Sequence, residues 1–169
     1  LLDAGCGDGH CLRQVRRRLP DLDLVGVDIS AQAVTSAPPD VRSLLRVGLI
    51  EDLEKEFGPQ AFDAVVCSEV LEHVPQPEVL VASVRSCLRP GGLAVFTVPA
   101  SMRYWSWQDD HDGHLRRYET AQLRALLEGS GLEVTRMYTW GAVLARLYHA
   151  ASVKAGPDRL YSAGGNAFG

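Results

Sequence analysis

The sequence predicts a doubly wound α/β fold, in which a mostly parallel sheet is flanked by helices. Short apolar runs alternate with segments of helical periodicity, which is the pattern of successive β–α–β units. One run, Phe62–Ser68, is almost continuously apolar, as expected for a strand buried on both faces. The chain has 169 residues, the size of one ordinary domain. We therefore expect a single domain over residues 1–169, with the structure of the tail at 150–169 left open.

The first half of the chain is expected to supply the first strands and helices of this fold. Leu12, Val15 and Leu19 share one face of the first helix, and arginines occupy the other. Ser30 can cap a second helix that begins near Ala31 and ends at a Pro-Pro pair. Polar residues in the third strand leave its register open. The predicted bounds are Leu1–Ala4, Leu24–Asp28 and Val41–Ile50 for the strands and His10–Leu19 for the first helix.

The second half continues the alternation. Turns are expected at Gly58-Pro59 and at Pro90-Gly91-Gly92. The segment from Tyr148 to the end is either a helix and a tail or the remainder of a seventh strand. The predicted strands are Phe62–Ser68, Leu93–Val98 and Leu132–Thr139, and the predicted helices are Pro77–Leu88 and Thr120–Glu128.

Composition and charge disfavour several classes of function. The formal charge of −4 argues against a protein that binds nucleic acid by neutralising phosphates. The apolar runs are far shorter than the ~20 residues of a membrane span. The four cysteines form no CxxC pair, which suits a reducing compartment, and we expect a cytoplasmic protein. The chain starts without methionine and inside a strand, so we expect it to be part of a longer protein.

A glycine-rich loop follows the first strand, at Asp3–Gly9 (DAGCGDG). Glycines allow positive φ angles and a close approach of the backbone to a ligand, and the following helix offers free N–H groups. A dinucleotide site needs a third glycine at position 10, which is His10 here. The spacing therefore favours a ligand that lacks a pyrophosphate. A tight turn with no ligand is the alternative.

Asp28 ends the second strand, 19 residues after Gly9. A carboxylate at about this distance can accept both hydroxyl groups of an adenosine ribose. The alternative is an acidic residue that only favours the start of the next helix. Together with the glycine loop, Asp28 indicates an adenosyl ligand.

Four ordered segments give the chain a family resemblance: LLDAGCGDGH at Leu1–His10, VGVDIS at Val25–Ser30, FDAVVCSEVLEHV at Phe62–Val74 and LRPGGLAVFTV at Leu88–Val98. With these segments the chain resembles the class I S-adenosylmethionine-dependent methyltransferases. The Ser68–Val74 stretch is similar to the branch that includes the ubiquinone-pathway O-methyltransferases. The resemblance implies a Rossmann-like methyltransferase domain with S-adenosylmethionine as cofactor and S-adenosylhomocysteine as product.

The resemblance also implies roles for individual residues. The glycine loop would lie beside the methionine part of the cofactor, with Asp3 near its ammonium group. Asp28 would hold the ribose, and Ile29 would pack on the adenine. Backbone carbonyls at the end of the fourth strand would face the ammonium group. The implied cofactor-binding residues are Asp3, Gly5, Gly7, Gly9, Asp28, Ile29, Ile50, Glu51, Cys67 and Ser68.

One position departs from the family pattern. The family often has Gly-Asp at the third strand, whereas this chain has Gly48-Leu49. The contact with the adenine amino group is then lost or passes to Glu51 or Asp52. We read Cys67 as a small buried residue rather than a nucleophile, since no base is spaced to activate it. His73 is as well explained by a structural role at a helix end as by a catalytic one.

A second dense cluster occupies Trp105–Tyr118 (WSWQDDHDGHLRRY), which is predicted to be a loop. In related methyltransferases a similar HLRRY stretch lies over the methyl group, which makes His114, and less directly His111, a candidate general base. Tyr104, Trp105 and Trp107 would form the wall of the acceptor pocket. Carboxylates and imidazoles also suit a divalent cation, and a plain polar loop is a further reading, so we assign no metal. The acids in question are Asp109, Asp110 and Asp112.

The predicted function is methyl transfer to a small-molecule acceptor, most simply a hydroxyl oxygen, by in-line displacement. Alignment of the reactants would supply most of the rate enhancement. A nitrogen or carbon acceptor stays open. A non-catalytic cofactor-binding scaffold is the first alternative, and a nicotinamide-dependent oxidoreductase, which the glycine spacing disfavours, is the second. We expect no nucleic-acid partner, and the oligomeric state is open.

Overall fold

A computed structural model describes residues 1–140 of the chain, so the predictions for the tail lie outside the described residues. The strands are β1 Leu2–Ala4, β2 Val25–Asp28, β3 Leu45–Val47, β4 Phe62–Ser68 and β5 Leu88–Thr97. The helices are α1 His10–Arg18, α2 Ala31–Ser36, α3 Pro39–Arg42, α4 Leu53–Phe57, α5 Pro77–Cys87, α6 Trp107–Asp112 and α7 Thr120–Gly129. Short 3₁₀ turns cover Ile50–Asp52 and Met102–Tyr104.

Within residues 1–140 the strands form one parallel sheet in the order β3-β2-β1-β4-β5. The central strand β1 pairs with β2 on one side, where Leu2 faces Val25, and with β4 on the other, where Leu2 faces Val65. The strand order reverses between β1 and β4, and ligands of such sheets bind at the carboxyl ends of the strands near that point. The predicted parallel α/β architecture is confirmed.

Two apolar clusters hold the helices to the sheet. The larger one packs α5 and α7 against the central strands and includes Leu80 and Leu127. The smaller one lies under α1 and α2 and includes Leu12 and Val34. Ser30 caps α2 as predicted, since its side chain accepts a hydrogen bond from the N–H of Ala33. None of the helices within residues 1–140 has the length and apolar character needed to cross a membrane.

The prediction of a third strand over Val41–Ile50 is wrong at both ends. Only Leu45–Val47 pairs with β2. Val41 belongs to α3, because Pro39 fits the first turn of a helix and starts one there. Ile50 begins a 3₁₀ turn. An apolar pattern shows which residues become buried, but the short helix and turn on either side take those residues out of the strand.

The predicted start of β5 is also wrong. We expected a turn at Pro90-Gly91-Gly92 and a strand from Leu93, but β5 already begins at Leu88. The strand bulges across the expected turn, because Phe62 pairs with Leu88 whereas Ala64 pairs with Leu93. The extra residues therefore form a bulge inside the strand.

The predicted sixth strand, Leu132–Thr139, is not formed. Leu132 and Val134 alternate with exposed residues and rest partly buried against the main core. However, a strand requires ladder hydrogen bonds to a neighbour, and within the described residues the sheet ends at β5. The alternation of apolar residues predicted the packing correctly and the pairing wrongly.

A substitution at Gly26 in β2 can test how closely α1 and the glycine-rich loop pack on the sheet. A Cβ at this position would lie 2.7 Å from Cys6 Sγ and 2.8 Å from Leu12 Cδ1. We expect Gly26→Ala to lower the free energy of unfolding by about 1–3 kcal/mol, measured by urea denaturation. Gly129→Ala is the matched control, because a Cβ there meets nothing within 4 Å and should stabilise α7 by about 0.5–1 kcal/mol. Equal stability of the Gly26→Ala variant and the wild type would contradict this packing.

Candidate active site

The loop between β1 and α1 turns back on itself at the carboxyl edge of the sheet. Gly5, Gly7 and Gly9 all have positive φ angles, of 86°, 55° and 79°. A Cβ on Gly5 would collide with Val70 Cγ2, so this glycine allows the loop to contact the segment after β4. A Cβ on Gly7 would meet nothing within 4 Å, which leaves that part of the backbone open to a ligand. The structure thus brings the three predicted loop glycines to one edge.

Asp28 holds this loop from the end of β2. Its Oδ2 accepts a hydrogen bond from the N–H of Gly7 at 2.7 Å, and its Oδ1 accepts one from the N–H of Ser30 at 2.8 Å. The two bonds fix the orientation of the carboxylate. Each carboxylate oxygen has a second lone pair, so the group can still accept hydrogen bonds from a ligand.

Asp3, the middle residue of β1, carries a buried carboxyl group. The residue is 2% exposed, and its Oδ2 has no hydrogen-bond partner within residues 1–140. Burial raises the pKa of Asp3 to about 6, the hydrogen bond from Cys11 opposes the rise, and the charge of Asp28 adds to it. A buried acceptor without a partner is unfavourable. The site therefore suits a ligand that brings a positively charged donor, such as an ammonium group.

The end of β4 carries a chain of polar side chains. The hydroxyl group of Thr97 donates to Glu69 Oε1 at 2.8 Å, so Ser68 Oγ is the donor in its 2.7 Å bond to Thr97 Oγ1. Cys67 is 1% exposed. Burial, with the charges of Asp3 and Glu72, raises the pKa of the Cys67 thiol to about 12. A thiol that stays protonated agrees with our reading of Cys67 as a buried residue rather than a nucleophile.

The residues proposed to lie around the adenine differ in exposure. Ile29, next to Asp28, is 72% exposed, as a side chain that covers a ligand would be. Ile50 is 7% exposed and packs in the main core, and its backbone carbonyl accepts a hydrogen bond from Ser83. Glu51 and Leu49 are both exposed beside it. The side chain of Ile50 therefore offers a ligand little surface, and its role in binding stays a prediction.

The Trp105–Tyr118 segment is not the simple loop that we predicted, because it contains α6. Ser106 and Asp109 form a capping box at the start of this helix, in which Asp109 Oδ2 accepts from the N–H of Ser106 at 2.8 Å. Such a box supplies partners for the free N–H groups of the first turn. At the other end, Gly113 turns the chain with a φ of 74°, and the N–H of His114 bonds back to the carbonyl of Asp109 at 2.8 Å.

Asp109 is the most connected carboxylate of this segment and is 1% exposed. It accepts hydrogen bonds from His114 Nδ1 at 2.8 Å and from Arg117 Nε and Nη2 at 2.6 and 3.0 Å. Burial alone would raise the pKa of Asp109, but the hydrogen bonds from Arg117, Ser106 and His114 outweigh it and lower the pKa. Asp109 is therefore a carboxylate engaged by protein donors, and these bonds were beyond prediction from spacing.

The two candidate bases occupy different places. The side chain of His114 is 13% exposed and lies in an edge-to-face contact with His73, with 4.8 Å between the ring centroids. The next residue, Leu115, donates its N–H to the carbonyl of Glu72 at 2.8 Å. These contacts join His114 to the segment that also touches the glycine loop. His111 lies exposed in the last turn of α6, so the geometry favours His114.

Glu72 is a second buried carboxyl group, and the sequence analysis missed it. It is fully buried, and neither carboxylate oxygen has a hydrogen-bond partner within residues 1–140. Burial raises the pKa of Glu72 to about 7; the charge of Glu69 adds to the rise, and the charge of His114 opposes it. Glu72, His73 and His114 can offer ligand atoms to a cation, since these atoms lie within 4.8 Å of one another. The sequence did contain a signal for this group, since an acidic residue directly precedes a histidine at Glu72-His73.

The chain is similar in sequence to known methyltransferases. A family model described as a methyltransferase domain matches residues 1–137. A ubiquinone biosynthesis O-methyltransferase of Chromobacterium violaceum is 36% identical over 100 residues, which are 57% of this chain and 43% of that protein. A malonyl-(acyl-carrier protein) O-methyltransferase of Halalkalibacterium halodurans is 28% identical over 153 residues, which are 88% of this chain and 55% of that protein. The chain thus spans about half the length of the curated relatives that it matches.

The fold is also similar to that of methyltransferases among the solved structures. A phosphoethanolamine N-methyltransferase 2 of Haemonchus contortus, in complex with S-adenosyl-L-methionine, superposes with a TM-score of 0.68 at 19% identity. The superposition covers 96% of this chain and 40% of that one. At this identity the likeness shows the fold.

The buried Asp3 makes stability depend on pH. Its pKa rises from 3.8 to about 6 on folding, so the ionised group lowers the free energy of unfolding as pH rises through this window. Asparagine carries no charge, and we expect Asp3→Asn to increase the free energy of unfolding at pH 8 by up to about 3 kcal/mol. The gain should disappear below pH 4. Urea unfolding of the ligand-free protein at both pH values measures it.

The exposed Asp21→Asn is the control for this measurement, and it should change stability at neither pH. An Asp3→Asn variant that is less stable than the wild type at pH 8 would contradict the cost in stability assigned to the buried, ionised Asp3.

Proposed function

The chain belongs to the methyltransferase-domain family, and from that premise we propose that it transfers a methyl group from S-adenosylmethionine to a hydroxyl oxygen of a small molecule. The observation that carries the proposal is the buried Oδ2 of Asp3, which has no partner within residues 1–140 and lies at the glycine loop. The names of the O-methyltransferase relatives support the choice of oxygen as acceptor.

The residues at the sheet edge fit the cofactor. Asp3 would accept the ammonium group of its methionine part, beside Gly5, Gly7 and Gly9. Asp28 is held by backbone bonds in an orientation that would receive the ribose hydroxyls. When bound, S-adenosylmethionine supplies a methyl group on a positively charged sulfur and leaves as S-adenosylhomocysteine.

The remaining cofactor-binding roles are assigned to the strand ends. Ile29 would cover the adenine, and its exposure supports this role. Ile50 and Glu51 would line the adenine side. Glu51 would take the place of the aspartate that the family often has at the position of Leu49. The backbone carbonyls of Cys67 and Ser68 would face the ammonium group.

His114 would remove the proton from the acceptor hydroxyl, and His111 is the second candidate. The side chain of His114 is mostly buried and lies beside the segment after β4, where the reacting groups would meet. Tyr104, Trp105 and Trp107 would form an aromatic wall for the acceptor. The protein would orient the acceptor and exclude water, and the base would take the proton that the oxygen loses.

The cysteines bear on the compartment in which the protein works. Cys6, Cys11, Cys67 and Cys87 are all free thiols, which supports a reducing compartment such as the cytoplasm. We assign residues 1–169 to a single S-adenosylmethionine-binding domain with a small-molecule partner and no nucleic-acid partner.

Removal of the ribose-binding carboxylate tests the cofactor site. We expect the wild type to bind S-adenosylhomocysteine in calorimetric titration and Asp28→Ala to bind it at least roughly tenfold more weakly, because a charged acceptor of hydrogen bonds contributes about 1.5–3 kcal/mol. Asp40→Ala is the control, since the carboxylate of Asp40 is exposed and pairs with the Arg13 side chain. Unchanged affinity in Asp28→Ala would exclude the ribose role.

Replacement of each candidate base tests the chemistry. With S-adenosylmethionine and a panel of catechols and phenols, we expect His114→Ala to lower kcat by about 10²–10⁴-fold, the usual contribution of a general base. His111→Ala should have a much smaller effect, because His111 is exposed. Release of S-adenosylhomocysteine measures turnover. Tight cofactor binding with no methylation of any acceptor would instead support a non-catalytic scaffold.

A further inference from the structure

We propose that Asp109 is a positioning residue that fixes His114 with a proton on Nδ1, so that Nε2 is the nitrogen available to the acceptor, and that Arg117 holds Asp109 in place. This inference rests on the proposed function, in which His114 takes the proton of the acceptor hydroxyl. Neither the spacing of the Trp105–Tyr118 segment nor the likeness to relatives assigns this role to Asp109.

The bond between His114 and Asp109 determines the tautomer. Asp109 Oδ1 lies 2.8 Å from His114 Nδ1. Hydrogen bonds from Arg117 and Ser106 keep Asp109 a carboxylate, which can only accept. The bond therefore requires a proton on Nδ1. In a neutral imidazole the other nitrogen, Nε2, then carries the lone pair that can take a proton.

The carboxylate is itself rigidly held. Arg117 donates Nε to one oxygen of Asp109 and Nη2 to the other, at 2.6 and 3.0 Å. Such a two-pronged pair fixes the plane of the carboxylate. The N–H of Ser106 donates to it from the start of α6, and Gly113 reverses the chain so that His114 returns to the same carboxylate. Backbone and side chain together leave Asp109 one orientation.

The surroundings of His114 explain why a fixed carboxylate matters there. On the segment after β4, its neighbours are His73, in edge-to-face contact, and Glu72, which is fully buried with its Oε1 4.0 Å from His73 Nε2. When the proton of the acceptor O–H passes to Nε2, the ring becomes an imidazolium. Asp109 would then stabilise this cation from the Nδ1 side. The O–H electron pair would stay on the oxygen, which would bond to the methyl carbon as the carbon–sulfur bond breaks and S-adenosylhomocysteine leaves.

The first test reads the tautomer directly and requires no turnover. In ¹⁵N-labelled wild type at pH 8.5, with a chelator present, two-bond ¹H–¹⁵N spectra should show His114 as the Nδ1–H tautomer. In Asp109→Asn the amide NH₂ becomes a donor while Arg117 retains the amide oxygen, so we expect the Nε2–H tautomer to increase. Asp112→Asn, an exposed change on the same helix, should leave the spectrum unchanged. A wild-type ring that carries its proton on Nε2 would overturn the proposal, even if Asp109→Asn fails to fold.

The second test separates positioning from mere stability. We expect Asp109→Asn to lower kcat by roughly 10–10³-fold with little change in KM, since the wrong tautomer cannot take the proton. In a His114→Ala background the same substitution should lower kcat no further. If Asp109 served only the folding of α6, the substitution would lower kcat equally in both backgrounds, and the proposal would be wrong.

The two tests keep this inference distinct from the proposed function. If His114→Ala leaves kcat unchanged, His114 is not the base and the proposed function fails at that residue. The NMR result still decides whether Asp109 fixes the ring.

Discussion

The carboxylate of Asp28 is the point on which the geometry of the sheet edge depends. It binds the N–H of Gly7 and the N–H of Ser30, and so joins the glycine loop to the start of α2 across the end of β2. The carbonyl of Val27 completes the link by accepting from the N–H groups of Gly5 and Cys6. A loop with three positive φ angles is thus held in one shape before any ligand arrives. Preorganisation of this kind lowers the entropic cost of binding.

Two buried carboxyl groups near this edge carry a cost in stability. Asp3 and Glu72 each lack hydrogen-bond partners for buried oxygens within residues 1–140, and burial raises the pKa of both. Such groups are retained in proteins where function needs them, at the expense of folding free energy. Asp3 lies at the loop proposed to receive an ammonium group, and Glu72 lies beside His73 and His114. A ligand that brings positive charge would offset part of the cost.

The elements that could be predicted from sequence are those whose signal is local. β2, β4 and α5 follow from apolar runs, caps and breakers, and the loop at Gly5 to Gly9 follows from its glycines. The sixth strand failed because the alternation at Leu132–Thr139 reports burial but not a hydrogen-bonding neighbour. The bonds of Asp109 to His114 and Arg117 arise only because the chain turns back at Gly113, after α6. Their residue types had suggested instead a polar loop or scattered ligands for a cation.

The most direct measurement is a crystal structure of this chain with S-adenosylhomocysteine. The central claim predicts the amino nitrogen of the ligand within hydrogen-bonding distance of Asp3 Oδ2 and the ribose hydroxyls on Asp28, with the glycine loop unchanged. A ligand bound elsewhere, or one that leaves the Asp3 oxygen without a partner, would contradict the claim that this buried carboxylate exists to hold the cofactor.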